Sequence, residues 1–363
     1  MQSCCSEKLG IVMVSKPAAA CLNDAMLSRN VVFTAPKTVA LVAEEIPPAT
    51  PRSILVRAEH SLVSTGTELI CLGGEYEPGS HWDKWVKFPH KPGYNLVGIV
   101  EEAGAEVTEY SVGDRVALRA NHKEWTRWNC VLADRGLKVP DEIAPDAAAW
   151  FGMACIAQIG VRRAAHALGD AVVIIGAGLL GQLVTQYLRL QGAREIIVID
   201  TAPARLQLAK DHGATQTLNM KVGEARAAVY DLTGGLGADV VYDITGHVAV
   251  FAPALGLARR FGKLLLLGDA AQPAGQHLTP DVVTRGVQIV GAHDSMPPKI
   301  PSEHDRWTHS EMSRLFFSYL QRGQMRVADM VTHRFAPEDT PQAYAQLLAD
   351  RSTALGVIFD WKV

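Results

Sequence analysis

The stretch AVVIIGAGLLGQLVTQYLRLQGAREIIVID (residues 171–200) decides the fold. An apolar run enters Gly176-Ala177-Gly178-Leu179-Leu180-Gly181, and a second apolar run ends on Asp200. Between them Leu179, Leu183, Val184, Tyr187 and Leu188 recur at helical spacing. Continuous apolar strands are buried on both faces, so the order strand, glycine turn, helix, strand implies a parallel sheet between helix layers. The glycines fit G-x-G-x-x-G in the context that gives the pattern meaning. Gly176 permits the tight turn, Gly178 lets backbone approach a pyrophosphate, and Gly181 lets helix and strand pack closely. With Leu179 and Leu180 they open a helix whose free N–H groups and positive dipole end suit phosphates.

Asp200 stands where an acid accepts hydrogen bonds from the adenosine ribose. A carboxylate there repels a 2′-phosphate, so NAD is expected over NADP, although Arg205 lies five residues on. Gly268, closing the strand GKLLLLGD, completes the expected cofactor set.

The pattern continues with ARLQLAKDHGA as helix, ADVVYDITG as strand, VFAPALGLARR as helix, and GKLLLLGD and GVQIVGAHD as strands. Upstream, VVFTA, TVALVAEEI, SILVRAEH and residues 98–120 are short β-rich runs with turn punctuation. Downstream come helices at roughly 308–322 and 338–350 and a last strand, ALGVIFDW. The expected class is α/β: a doubly wound Rossmann sheet plus a mainly β module. The expected boundaries are 26–152 and 300–363 for the β module and 153–299 for the nucleotide domain, with residues 1–25 a disordered extension.

The chain has 363 residues, 48% hydrophobic and 20% charged, with net charge −3. That balance gives no basic footprint for nucleic acid, and no apolar run is long enough for a membrane span. Six scattered cysteines argue against a disulfide framework and for a cytoplasmic protein.

The order of modules, with STGTE (64–68), PGYNLVGIVEEAGAEV (92–107), VGDRV (112–116), GAGLLG (176–181) and Asp200, resembles the medium-chain dehydrogenase/reductase superfamily over about residues 26–363. The resemblance implies a GroES-like barrel for the β module. Zinc-dependent members of the family draw ligands from a Cys-x-Ser/Thr-Asp loop, a Gly-His-Glu segment and a later Cys or Glu. Matched motif to motif, Thr65 and Tyr94 stand at the first two ligand positions, Asn95 at the acid, and Gly152 or Met153 near the third. Hydroxyls and neutral tyrosine bind zinc poorly, so no zinc is expected.

STGTE in place of a zinc loop is similar to the bacteriochlorophyllide dehydrogenase branch, and the chain also resembles alcohol and threonine dehydrogenases. Thr67 matches the family's proton-relay hydroxyl, and Tyr94 is the second catalytic candidate. For base work Tyr94 would need a nearby cation to lower its pKa of about 10, with Lys123, His90 and His122 the neighbours in sequence. Glu68 reads as a backbone-fixing ion pair. Trp82, Trp85, Trp125 and Trp128 either stack a sugar or planar substrate or fill a shortened lobe, and His293 and Asp294 leave a strand end beside the nicotinamide.

The expected activity is NAD-dependent oxidation of a secondary alcohol, a polyol or sugar derivative. The alternatives are an NADPH-dependent enone or quinone reductase and a catalytically dead dinucleotide-binding protein. Expected partners are a small-molecule substrate and a second copy of the chain, paired through GVQIVGA (286–292).

Overall fold

The structure is a computed structural model that describes residues 26–130 and 136–362. The expected extension at 1–25 lies outside the described residues. Strands β1 (Leu27–Ala35) and β2 (Thr38–Glu45) form an antiparallel hairpin. The long β3 (Ser53–Val63) is buried along almost its whole length. It pairs on one side with β4 (Leu96–Ala103), which leads to β5 (Arg115–Leu118) and onward, and it also takes β6 (Trp125–Asn129). β7 (Gly136–Lys138) follows on β5.

The second sheet holds β8 (Ala171–Ile175), β9 (Glu195–Asp200), β10 (Gln216–Asn219), β11 (Ala238–Asp243), β12 (Ala258–Leu266) and β13 (Gln288–Gly291). All pairings are parallel and the spatial order is β10-β9-β8-β11-β12-β13. The chain starts in the middle, winds to one edge, then returns to the other side of β8. That reversal opens a crevice at the carboxyl ends of β8 and β11, where ligands of such sheets bind. The chain then goes back to the first sheet with β14 (Val331–Phe335) and β15 (Gly356–Asp360), the latter antiparallel to β3.

The helix Leu179–Gln191 buries Leu179, Leu183, Val184, Tyr187 and Leu188 against β8 and β9, as the spacing predicts. Each such side chain contributes about 1.5–3 kcal/mol on full burial. One stretch differs from the expectation. The helix in VFAPALGLARR is Val248–Leu255, and β12 already begins at Ala258. Pro253 lies inside that helix, Gly256 caps it, and Ala258 pairs with Ala238. Sheet pairing overrides the helical spacing of the last residues.

Candidate active site

At the dinucleotide crevice Gly176 has φ +101°, in the left-handed region that favours glycine. A Cβ on Gly181 would lie 2.0 Å from the Gly176 carbonyl oxygen, so the helix approaches its strand as closely as the motif requires. A Cβ on Gly178 would meet nothing within 4 Å. The helix it starts has no side-chain cap, so its first N–H groups are available to a phosphate. Leu179 is buried in the core and Leu180 is half-buried against it, so both position the turn.

Asp200 does two jobs. Its Oδ2 accepts from the Ala177 N–H at 2.7 Å and its Oδ1 from the Ala202 N–H at 2.8 Å. The acid that should meet the ribose also fixes the glycine turn. These residues fit a dinucleotide. Arg205 points elsewhere: its guanidinium donates to the Ala354 carbonyl at 2.9 Å and to that of Arg351, tying the nucleotide domain to the C-terminal return. Gly268 is required by backbone approach, since a Cβ there would lie 2.4 Å from the Gly246 nitrogen.

In the other module, STGTE enters the helix Thr67–Gly73. Gly93, with φ +91°, turns the chain immediately before Tyr94, and a Cβ there would strike the His122 ring at 2.6 Å. The Tyr94 hydroxyl donates to Ser64 Oγ at 2.7 Å, lies 3.4 Å from Met153 Sδ, and is also hydrogen-bonded to Thr67. Tyr94, Thr67 and the third ligand position thus converge.

The donor set does not suit zinc. Thr65 is buried, the hydroxyl of Tyr94 is engaged by neutral groups, and a thioether stands beside it. Asn95 is fully buried, with neither amide atom partnered among the described residues. A Cβ on Gly152 would sit 2.0 Å from Asn95 Oδ1, so that position has no room for a ligand side chain.

The Tyr94 environment narrows one open role and differs from the expected neighbours. Burial pushes the Tyr94 phenol up to about 12, against the Ser64 and Thr67 bonds that lower it, while Glu68 and Asp294 add to the rise. At neutral pH that shift keeps the proton on Tyr94. The cation beside it is none of those expected. His122 is buried between Ser61 Oγ at 2.8 Å and the Glu68 carboxylate at 3.1 Å, and Lys123 lies among Lys91 and Glu44. Instead Arg119, at the end of β5, stands 5.9 Å from the Tyr94 ring centroid. It is clamped by Asp294 Oδ2 at 2.7 Å and Oδ1 at 3.0 Å, and Asp294 also meets His309.

Arg119 escaped the sequence reading because it comes from a segment that no motif marks, while Ser64 and Met153 were named within matched motifs but not as partners of Tyr94. For Arg119 the signal was a charge closing the apolar run RVAL. The tryptophans separate: Trp82 is buried and Trp85 exposed on the helix His81–Trp85, whereas Trp125 and Trp128 lie in β6 along β3.

Residues 51–138 match the alcohol dehydrogenase GroES-like domain and residues 180–305 the zinc-binding dehydrogenase family, together more than half of the chain. The chain is 26% identical over 357 residues to D-guloside 3-dehydrogenase of Escherichia coli (strain K12), covering 91% of this chain and all of that one. It is 28% identical over 315 residues to L-threonine 3-dehydrogenase of Anaeromyxobacter sp. (strain K), covering 77% and 86%. Its fold matches an Escherichia coli oxidoreductase/dehydrogenase of unknown specificity with a TM-score of 0.77 at 20% identity, over 92% of this chain and 99% of the other. With these two matched regions in the order of a GroES-like module and a dinucleotide domain, the chain belongs to the medium-chain dehydrogenase/reductase superfamily.

Proposed function

We propose that this protein is an NAD-preferring dehydrogenase of a secondary alcohol in a polyol or sugar derivative, with no zinc at the position where zinc-dependent members of the family hold it. The observation that carries the reading is the Tyr94 hydroxyl, bonded to Ser64 and Thr67 beside Met153 where metal ligands would stand. The polyol or sugar class is supported by D-guloside 3-dehydrogenase among the relatives. NAD preference is supported by the Asp200 carboxylate at the end of β9.

The nicotinamide, when bound, supplies the hydride acceptor. Tyr94, a phenol that stays protonated at neutral pH, turns its O–H from Ser64 to hydrogen-bond the substrate oxygen, orienting it while that oxygen's own proton leaves by another path. Thr67 shares that hydrogen bonding and passes the hydroxyl proton toward water. Arg119, fixed by Asp294, holds positive charge near the ring and favours negative charge developing on the oxygen. Buried free thiols at Cys71, Cys130 and Cys155 suit a reducing cytoplasm. Among the described residues no helix is long and apolar enough to cross a membrane.

Tyr94→Phe keeps the ring and removes the donor. It should lower kcat with polyol substrates by about 10²–10⁴-fold, the range of general acid–base assistance, while NADH binding is unchanged. Near-normal turnover in the folded variant would show that Tyr94 is a packing residue.

A further inference from the structure

The structure brings together a cluster of metal-ligating groups that does not include Thr65 or Tyr94. His81 opens the helix His81–Trp85 of the β module, Asp269 follows Gly268 beyond β12, and His293 follows β13. One ligand atom from each lies within 4.8 Å of the others, and this is the one such group of three among the described residues. The two histidine rings meet edge to face at 5.3 Å.

The supporting contacts hold the two sides in register. The Glu77 N–H donates to the Ala271 carbonyl at 2.9 Å, and Glu77 Oε2 accepts from the Ala274 N–H at 2.9 Å. These bonds fasten the segment before His81 to the loop after Asp269. His81 stacks on Trp85 with centroids 6.0 Å apart. His293 Nδ1 accepts from the Ser295 N–H at 3.2 Å and lies 2.8 Å from Ser295 Oγ, so ligation through Nε2 requires the ring proton to shift to Nδ1.

We propose that His81, Asp269 and His293 bind one divalent transition-metal ion, of the zinc class, bridging the two modules. Two imidazoles and a carboxylate form a three-ligand set of the kind that leaves a coordination position open to water or another oxygen. Tetrahedral bonds of about 2.0–2.1 Å put ligand atoms roughly 3.4 Å apart, so the groups must draw in by about an ångström. All three side chains are exposed, so rotation about their side-chain bonds can shorten the distances. The expectation of a zinc-free site concerns Thr65, Tyr94 and the Gly152 region; this triad is a different set of residues, on the side of the site where Asp294 holds Arg119.

The test uses the full chain, stripped with a chelator and titrated with zinc chloride alone by calorimetry, with cobalt(II) as a spectroscopic substitute. One ion per chain is expected, with visible cobalt absorption of the intensity of a four-coordinate site. His81→Ala, Asp269→Ala and His293→Ala should each weaken binding by more than the ~10–100-fold that loss of a supporting partner alone brings. Thr65→Val and Tyr94→Phe should leave it unchanged. Absence of stoichiometric binding, or binding that survives all three ligand substitutions, would overturn the proposal. Binding lost in Tyr94→Phe but kept in the triad variants would place the ion at the family's position and overturn it equally.

Discussion

Glu68 is the residue of STGTE whose role can be separated most sharply. It is 1% exposed. Its carboxylate accepts from the Ser64 N–H at 2.8 Å, meets His122 Nε2 at 3.1 and 3.2 Å, and accepts from the Tyr344 hydroxyl. The Trp361 indole N–H donates to Ser61 Oγ at 2.9 Å, which leaves the Ser61 hydroxyl proton for His122 Nδ1 and an Nε2–H aimed at Glu68. One buried carboxylate thus joins the loop at residue 64, the segment between β5 and β6, and the C-terminal return.

Glu68→Ala strands three buried donors, from Ser64, His122 and Tyr344, at about 1–3 kcal/mol each. Because the loop can relax, we expect a loss of about 3–5 kcal/mol, measured as a shift in the urea midpoint by tryptophan fluorescence. The double variant with Tyr344→Phe should lose less than the sum of the two single changes, because both act on one network. Glu68→Gln should lie between wild type and Glu68→Ala in stability. A Glu68→Ala midpoint within about 1 kcal/mol of wild type would refute this reasoning. So would a Glu68→Gln variant of normal stability whose kcat falls by about 10²-fold or more, since that identifies a proton acceptor.

Three further outcomes follow from the same geometry. Wild type should bind NADH more tightly than NADPH, and Asp200→Ala should narrow the gap while weakening both, since it also frees the Ala177 and Ala202 N–H groups; equal or tighter NADPH binding by wild type would contradict the assignment. The edge strand β13, with Ile289 38% exposed, should pair with a second copy to give a homodimer by light scattering, converted to monomer by Ile289→Lys; a monomeric wild type at micromolar concentration ends that proposal. Burial lowers the His166 pKa from its usual 6.5, so the native state resists a proton that the unfolded chain accepts, and stability falls as pH drops below about 6.5. His166→Gln should remove up to about 1.4 kcal/mol per pH unit of that fall in calorimetric scans between pH 7.5 and 5.5, and an unchanged slope would argue against it.

The nucleotide half was legible because its information is local. Period and glycine spacing in residues 171–200 specify strand, turn and helix within one continuous segment, and the same residues carry the pyrophosphate turn. Asp200 was legible for its position at the end of β9, but not for its bond to Ala177, which depends on the approach of two strand ends. Arg205 shows the limit of the same reading, because its carbonyl partners lie about the 351–354 segment, far away in sequence. The start of β12 at Ala258 also needed the sheet, since only pairing with β11 overrides a helical pattern.

The catalytic chemistry was less legible for a physical reason. A phenol's proton affinity is set by burial and by charges converging from distant segments, and no spacing rule encodes those distances. Thr67 and Tyr94 were visible as types standing at motif positions, but the cation near Tyr94 is Arg119, held by an aspartate from beyond β13. The sequence by itself determined the alternation of strand and helix, the glycine turn, and the threonine and tyrosine at the motif positions matched to zinc ligands. Only the tertiary structure decided which charges face Tyr94, and that His81 meets Asp269 and His293, because those contacts exist once the two modules close on one another.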